Sequence, residues 1–99
     1  MDIGEHTHGA GRVYVLKGRF DAHQVPQFKD RLEPLLGNAT LDFAEVNFID
    51  STGLAALVSL YKRAQADGAD LRIVNVQDQV RVIFEITHLH TVLPLDYAA

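Results

Sequence analysis

The stretch NFIDSTGLAAL, Asn47 to Leu57, indicates the fold most directly. An apolar run leads into it, and from Thr52 onward apolar residues recur every three or four positions, as on one face of a helix. We expect a loop over Asn47 to Asp50 and a helix that begins near Thr52. The hydroxyls of Ser51 and Thr52 stand at this helix start, between an aspartate and a glycine.

Segments that favour strands alternate with segments that favour helices on both sides of this stretch. Ile3 to His8 and Arg12 to Lys17 are separated by the glycine-containing turn Gly9 to Gly11, and they predict a hairpin. The other predicted strands cover Ala39 to Val46, centred on Leu41 to Phe43, then Leu71 to Val76, and finally Thr91 to Asp96. The predicted helices cover Val25 to Leu36, Thr52 to a stop at Gly68, and Gln77 to Ile86.

The first predicted helix contains two prolines with different consequences. Pro26 suits the first helical turn, where a missing N–H costs little. Pro34 stands inside the apolar series from Val25 to Leu36, where a proline kinks or shortens a helix. Gly37 and Asn38 follow as a stop signal.

The spacing of apolar residues also predicts which side chains face the core. Phe48 either packs beneath the loop that precedes the second helix or is an exposed partner contact, and packing is favoured because large apolar side chains are mostly buried. The expected inward residues are Leu54, Leu57, Val58, Tyr61 and Ala64 in the second helix and Val80, Ile83, Phe84 and Ile86 in the third.

An initial hairpin followed by alternating helices and strands predicts an α/β fold. We expect a mostly parallel four- to five-stranded sheet with an N-terminal antiparallel hairpin, covered by helices. The 99 residues match the common size of one domain, so residues 1–99 are expected to form it alone. An apolar content of 47% is sufficient for a core.

Composition excludes several classes of function. The chain has no cysteine, so disulfides and thiolate chemistry are excluded. The net charge of -4 and the lack of a basic cluster argue against nucleic acid as a partner. No apolar stretch approaches the roughly 20 residues that a spanning helix needs, so no membrane insertion is expected. The start MDIGEHTHGAG does not resemble a signal peptide, which predicts a cytoplasmic protein.

The hydroxyl of Ser51 has three possible roles at a helix start. The first is capping, for which Asp50, Ser51 and Thr52 are all suitable residue types. The second is nucleophilic catalysis, but the hydrolase elbow needs a glycine two residues before the serine, where Ile49 stands. The third is to carry a phosphate, which helix N–H groups can accept. Local sequence favours capping and disfavours catalysis.

Two His-x-His pairs, His6 with His8 and His88 with His90, raise the question of a metal site. On a strand, such a pair points both imidazoles to one side. Four nitrogens could meet if the chain ends came together, as a tetrahedral metal site requires. The default interpretation is solvated histidines, so no metal ligands are assigned.

Three segments together resemble a known family. LDFAEVNFIDSTGLAALVSLYKRA, Leu41 to Ala64, contains the pattern of an apolar residue, Asp, spacers, an apolar pair and then Asp-Ser-Thr-Gly-Leu. GRFDAHQV, Gly18 to Val25, and GADLRIVNV, Gly68 to Val76, match two further family patterns. The chain resembles the STAS domains of bacterial anti-sigma factor antagonists from about Val13 to Leu93.

This resemblance implies a regulatory mechanism without catalysis or a cofactor. Ser51 matches the serine phosphorylated by a cognate anti-sigma factor, which is itself a kinase of the histidine-kinase ATPase type. The unphosphorylated protein binds that kinase and frees the sigma factor; the phosphorylated protein releases it, and a serine phosphatase resets it. Asp21 and Asp50 match acidic positions beside the serine. The partner-binding surface includes Thr52, Gly53 and Leu54.

Other roles are known within the same fold. Some STAS proteins are subunits of stress-signalling assemblies, and others are subunits of lipid-transport complexes bound to an ATPase. In a lipid-transport complex, the site at Ser51 would serve for docking without a phosphorylation switch. One departure from the family is the stretch THLHT, 87–91, where a glycine followed by an apolar residue is common.

Overall fold

A computed structural model describes residues 2–9, 11–33, 35 and 37–98. Strands and helices alternate along the chain after two initial strands. The strands are β1 (Asp2–His8), β2 (Gly11–Phe20), β3 (Ala39–Ile49), β4 (Leu71–Val76) and β5 (Leu95–Tyr97). The helices are α1 (Val25–Leu32), α2 (Ser51–Ala66) and α3 (Asp78–Ile86), with a 3-10 turn at Leu89–Thr91.

The five strands form one sheet in the order β1-β2-β3-β4-β5. β1 and β2 are antiparallel, and each later neighbouring pair is parallel. The predicted α/β class, the N-terminal hairpin and the mostly parallel sheet are therefore confirmed. Because β2 and β3 are parallel neighbours joined through a helix, both end at the same edge of the sheet.

One continuous core lies between the sheet and the helices. Tyr14 and Leu41 are paired in the β2–β3 register, and Leu41 is paired with Ile73 of β4. Each is buried, whereas their chain neighbours Thr40 and Val74 are only half-buried. This alternation shows that one face of the sheet carries the core. Phe20 contacts Phe28 of α1 with ring centroids 4.7 Å apart, which fixes α1 against β2.

The first helix is shorter than expected. α1 has a proline in its first turn, as predicted, and it ends at Leu32, before Pro34 in the sequence. Glu33 is already extended, with φ −113° and ψ 128°, which is the conformation that a following proline favours. Leu35 packs against the core from outside the helix. Pro34 and Leu36 lie outside the described residues.

The third strand begins where predicted and ends three residues later. β3 runs from Ala39 to Ile49, so Asn47 to Ile49 belong to the strand and the expected loop is reduced to Asp50. The β2–β3 register shifts twice, once between Val15 and Lys17 and once between Gly18 and Arg19. These irregularities interrupt the alternation of buried and exposed residues along β3, so a period-two pattern does not reveal the full length of the strand.

Four further expectations on burial and bounds are corrected. Phe48 is 38% exposed, and Ile86 is 70% exposed, because neither points toward the core. The last strand covers Leu95–Tyr97 instead of Thr91 to Asp96, and Leu89–Thr91 forms a 3-10 turn. α2 begins one residue early, at Ser51.

The predicted stop of α2 at Gly68 is confirmed. Gly68 has φ +72°, and its N–H donates to the carbonyl of Gln65. The N–H of Ala69 donates to the carbonyl of Ala64 at 2.8 Å. These two bonds form the Schellman motif, which satisfies the last carbonyls of a helix.

The two histidine pairs do not meet. His6 and His8 lie on β1 at one edge of the sheet, whereas His88 and His90 lie between α3 and β5 at the other. Among the residues that the structure describes, no group of three or more histidines or carboxylates could hold a metal ion. The four-nitrogen hypothesis is therefore wrong. Within the same residues, none of the helices has the length and apolar character needed to cross a membrane.

Candidate functional site

The site lies where β2 and β3 end side by side. Phe20 and Ile49, the last residues of these strands, are paired in the parallel register. Asp21 follows the first strand and Asp50 follows the second. The fold therefore brings the two predicted acidic residues to one edge of the sheet, although Asp21 and Asp50 are 29 positions apart in the chain.

Asp50 is the N-cap of α2. Its backbone is extended, with φ −108° and ψ −178°, and its Oδ1 accepts a hydrogen bond from the N–H of Gly53 at 2.9 Å. Its carbonyl accepts the first helical hydrogen bond, from Leu54, at 2.9 Å. Among the three cap candidates of the sequence, the aspartate performs this task, because its carboxylate satisfies a helix N–H that otherwise has no partner.

Asp50 also fixes the loop that follows β2. Its second carboxylate oxygen, Oδ2, accepts from the N–H of Ala22 at 3.2 Å. Its own N–H donates to the carbonyl of Phe20 at 3.3 Å. One side chain therefore joins the start of α2 to the loop before α1, so the two loops form a single surface.

Asp21 stabilises its own loop. Its Oδ1 accepts from the N–H of His23 at 3.0 Å, and its carbonyl accepts from Gln24 at 2.9 Å. The Oδ2 atom lies 3.5 Å from Nε of Arg19, and 18% of the Asp21 side chain is exposed. The carboxylate thus determines the loop conformation and still presents negative charge at the site.

Ser51 is exposed and is the first residue of α2. Within the described part of the chain, its hydroxyl makes no hydrogen bond. Capping is thus not its role, because Asp50 already provides the cap. The nucleophile hypothesis also has no support, since none of the histidines of the described residues hydrogen-bonds to this hydroxyl as a general base does.

Thr52 is also exposed and opens onto a groove between α1 and α2. The groove has a volume of about 280 Å³ and is partly open to solvent. Small side chains on α2 form its floor, so the surface beside Ser51 is accessible to a protein partner. Its lining residues are Val25, Lys29, Thr52, Ala55, Ala56 and Ser59.

Gly53 and Leu54 are buried, unlike the hydroxyl pair. A Cβ atom added at Gly53 would lie 2.5 Å from the carbonyl oxygen of Phe20 and 3.0 Å from Cγ1 of Ile49. The glycine is therefore required by close contact within this chain. Leu54 is 6% exposed and belongs to the core, so its side chain lies beneath the helix start.

Arg19 is the site residue that the sequence did not indicate, and Phe48 is exposed, as in the less favoured of the two alternatives for it. They are paired across β2 and β3, and the Arg19 guanidinium lies over the Phe48 ring, 4.0 Å from its centroid. The sequence contains a sign that a large apolar side chain is exposed here, since Phe48 and Ile49 are adjacent apolar residues. In a strand, only one of two neighbours can face the core, and here Ile49 does.

A family model of the STAS domain matches residues 4–98. The chain therefore belongs to the STAS domain family. Within it, the chain is similar to the anti-sigma-B factor antagonist of Staphylococcus aureus (strain NCTC 8325 / PS 47). The two are 30% identical over 95 residues, which cover 90% of this chain and 88% of the relative.

Solved structures have the same fold. An anti-sigma factor antagonist from Mycobacterium paratuberculosis matches with a TM-score of 0.86 and 20% identity, over 99% of this chain and 86% of that one. The Bacillus cell fate determinant SpoIIAA in its phosphorylated form matches with a TM-score of 0.72 and 18% identity, over 96% and 90%. At such identities, the likeness establishes the fold alone.

Proposed function

We propose that this protein is a cytoplasmic anti-sigma factor antagonist that acts by partner switching. In its unphosphorylated form it binds an anti-sigma factor, a serine kinase of the histidine-kinase ATPase type, and the sigma factor is released. Phosphorylation of Ser51 by that kinase abolishes binding, and a serine phosphatase restores it. The observation that carries this proposal is the exposed Ser51 hydroxyl, which has no hydrogen bond to the rest of the described chain because Asp50 caps the helix.

The comparisons support the same proposal. The Staphylococcus aureus relative is an anti-sigma-B factor antagonist, and it aligns with most of this chain. SpoIIAA has a structure in the phosphorylated form, so a protein of this fold accepts a phosphoryl group. Two features therefore favour a switch at Ser51. The chain belongs to the STAS domain family, and Asp50 caps the helix, so the Ser51 hydroxyl is not used for capping.

The position of Ser51 explains how one phosphoryl group could be both tolerated and effective. A phosphorylated serine carries nearly two negative charges and several acceptor oxygens. At the start of α2, the partial positive charge of the helix dipole compensates part of that charge within the protein. Toward a partner, the new charge adds to the carboxylates of Asp21 and Asp50 at the same edge. A partner adapted to the unphosphorylated surface is therefore repelled.

Each of the site residues has a different role in the proposed function. Asp50 caps the helix that begins with Ser51 and joins the two loops, and Asp21 shapes the loop that follows β2. Thr52 borders the groove that a partner can contact. Gly53 allows α2 to begin against the end of β2. None of these roles requires catalysis, since the kinase supplies the chemistry.

A pull-down from the lysate of the native bacterium tests the proposal. Purified wild-type protein and Ser51→Asp serve as baits, and mass spectrometry identifies the bound proteins. We expect a small ATPase-type kinase that the wild type retains and Ser51→Asp loses. A transporter-associated ATPase bound equally by both baits would instead identify a lipid-transport subunit, and the switch would be rejected.

A further inference from the structure

Phe48 and Arg19 form an exposed platform beside the proposed switch. Four large hydrophobic side chains are exposed among the described residues, and Phe48 is the one nearest to Ser51 in the sequence, three positions before it. The guanidinium of Arg19 lies 4.0 Å from the centroid of its ring. This contact has the distance of a cation–π interaction, which orders both side chains in advance of any binding. We call this pair the Arg19–Phe48 platform.

The outer end of Arg19 is available to a partner. Its Nε atom lies 3.5 Å from Oδ2 of Asp21, and its side chain is 61% exposed. Among the described residues, neither terminal nitrogen of this guanidinium has an acceptor. The terminal nitrogens of Arg31 and Arg72, in contrast, donate to acceptors on β1 and β5. The Arg19 guanidinium therefore contacts Phe48 with one face and Asp21 through Nε, and its two terminal nitrogens are available to a partner.

The platform is continuous with the switch surface. Arg19 contacts Asp21, Asp21 sets the loop that contains Ala22, and Ala22 donates to the N-cap Asp50. Aromatic residues and arginine are enriched among the residues that dominate protein–protein binding. An exposed aromatic ring beneath a guanidinium whose terminal nitrogens have no acceptor among the described residues is thus well suited to anchor a partner at this edge.

We propose that the Arg19–Phe48 platform anchors the anti-sigma factor, which supplies an acidic side chain next to an apolar one. The carboxylate pairs with the terminal nitrogens of Arg19, since a planar fork matches a carboxylate through two hydrogen bonds. The apolar side chain covers the exposed part of the Phe48 ring. This inference rests on the proposed function and adds to it the chemistry of the partner surface.

The platform also gives the switch a second route of action. A phosphoryl group on Ser51 is an anion at the same edge as Arg19, so it competes with the partner carboxylate for the guanidinium. It also repels that carboxylate directly. Both effects weaken binding, in the direction that the partner-switching proposal requires.

Titration calorimetry with purified components tests the anchor. The probe is the anti-sigma factor retained by wild-type bait, produced and purified separately. We expect Phe48→Ala and Arg19→Ala to raise Kd by about tenfold or more, as for residues that dominate an interface. Arg19→Glu is expected to weaken binding further. Arg19→Lys, which keeps the charge but not the planar fork, is expected to fall between wild type and Arg19→Ala.

Val82→Ala and Arg72→Ala are controls at positions outside the platform. They remove an exposed apolar side chain on α3 and an exposed arginine on β4, which pairs with Asp96 of β5. We expect them to bind as the wild type does. Thermal melts accompany each variant, and because Arg19 is mostly exposed, Arg19→Glu stays informative if Phe48→Ala folds poorly.

The failures of the two proposals are distinguishable. If Arg19→Glu and Phe48→Ala bind within about twofold of wild type while Ser51→Asp loses binding, the switch stands and the anchor is rejected. If the controls weaken binding as much as the platform variants, the anchor is likewise rejected. If the wild type binds no anti-sigma factor, the proposed function and the anchor both fall.

Discussion

Asp50 caps α2 by accepting a hydrogen bond from the N–H of Gly53 at 2.9 Å, and this contact separates two tasks at the helix start. The aspartate accepts the hydrogen bond of a helix N–H group that otherwise has no partner, so the adjacent Ser51 is not needed as a cap. The same carboxylate holds Ala22, which fixes the opposite side of the site. A serine that is exposed and not used as a cap is what the proposed phosphorylation requires.

Removing the cap should destabilise the protein measurably. Asp50→Ala is expected to lower the free energy of unfolding by about 1–2 kcal/mol, because it removes the acceptor for Gly53. Asp50→Asn should lose less, since asparagine is also a good N-cap residue. Urea denaturation measures both changes.

Asp30→Ala is the control for the capping experiment, since Asp30 is an exposed aspartate within α1. Its free energy of unfolding should stay within about 0.5 kcal/mol of wild type. Equal losses for Asp30→Ala and Asp50→Ala would show that the cap contributes nothing specific.

Gly53 should tolerate no side chain. A Cβ at this position would lie 2.5 Å from the carbonyl oxygen of Phe20, so Gly53→Ala requires β2 and α2 to separate. We expect a loss of about 1–3 kcal/mol in the free energy of unfolding, as for overpacked sites, and more for Gly53→Val. Thermal and urea denaturation measure it.

Gly4→Ala is the matched control for Gly53→Ala. Nothing lies within 4 Å of a Cβ atom built at Gly4, and the residue is exposed on β1. Its stability should therefore be close to that of wild type. Unchanged stability for Gly53→Ala would mean that the close approach to Phe20 is not a real constraint on sequence.

The overall architecture could be predicted from the sequence because its main signals are local. Gly68 ends α2 in the left-handed conformation that glycine favours, and Pro26 lies in the first turn of α1. The strand Leu71–Val76 has the predicted bounds. Each of these features depends on a few neighbouring residues, so the pattern alone was sufficient.

The features that were missed depend on contacts between distant residues. The full length of β3 follows from its pairing with β2, and the two register shifts disturb the period-two pattern that would have indicated it. The exposure of Phe48 follows from that same pairing, since Ile49 takes the inward position. Asp50, Ser51 and Thr52 are all suitable cap residues, so the sequence does not specify which of them caps α2. The backbone angles at Asp50 make it the cap.

Asp21→Asn should separate a structural role from a recognition role. The amide oxygen can still accept from the N–H of His23, so the loop is preserved. The contact with the exposed Arg19 loses its charge, which costs at most about 1 kcal/mol of stability. We expect a larger effect on partner binding or phosphorylation than on the melting temperature. A sharp drop in melting temperature would instead assign Asp21 a structural role.

Substitutions at Ser51 should mimic the two states of the switch. Ser51→Ala is expected to retain partner binding and to resist phosphorylation, because only the hydroxyl is removed from an exposed position. Ser51→Asp and Ser51→Glu should weaken binding by about 1–3 kcal/mol through like-charge repulsion and desolvation. Calorimetry measures the affinities. Equal binding by all three variants and wild type would place the switch at another residue.

The most direct test is to phosphorylate the wild-type protein with its purified anti-sigma factor and ATP, and to measure binding before and after. Mass spectrometry identifies the modified residue, with Ser51→Ala as the unmodifiable control. We predict one phosphoryl group, on Ser51, and a loss of affinity that treatment with a serine phosphatase reverses. Unmodified Ser51 after prolonged incubation, or full affinity once Ser51 is phosphorylated, would contradict the account.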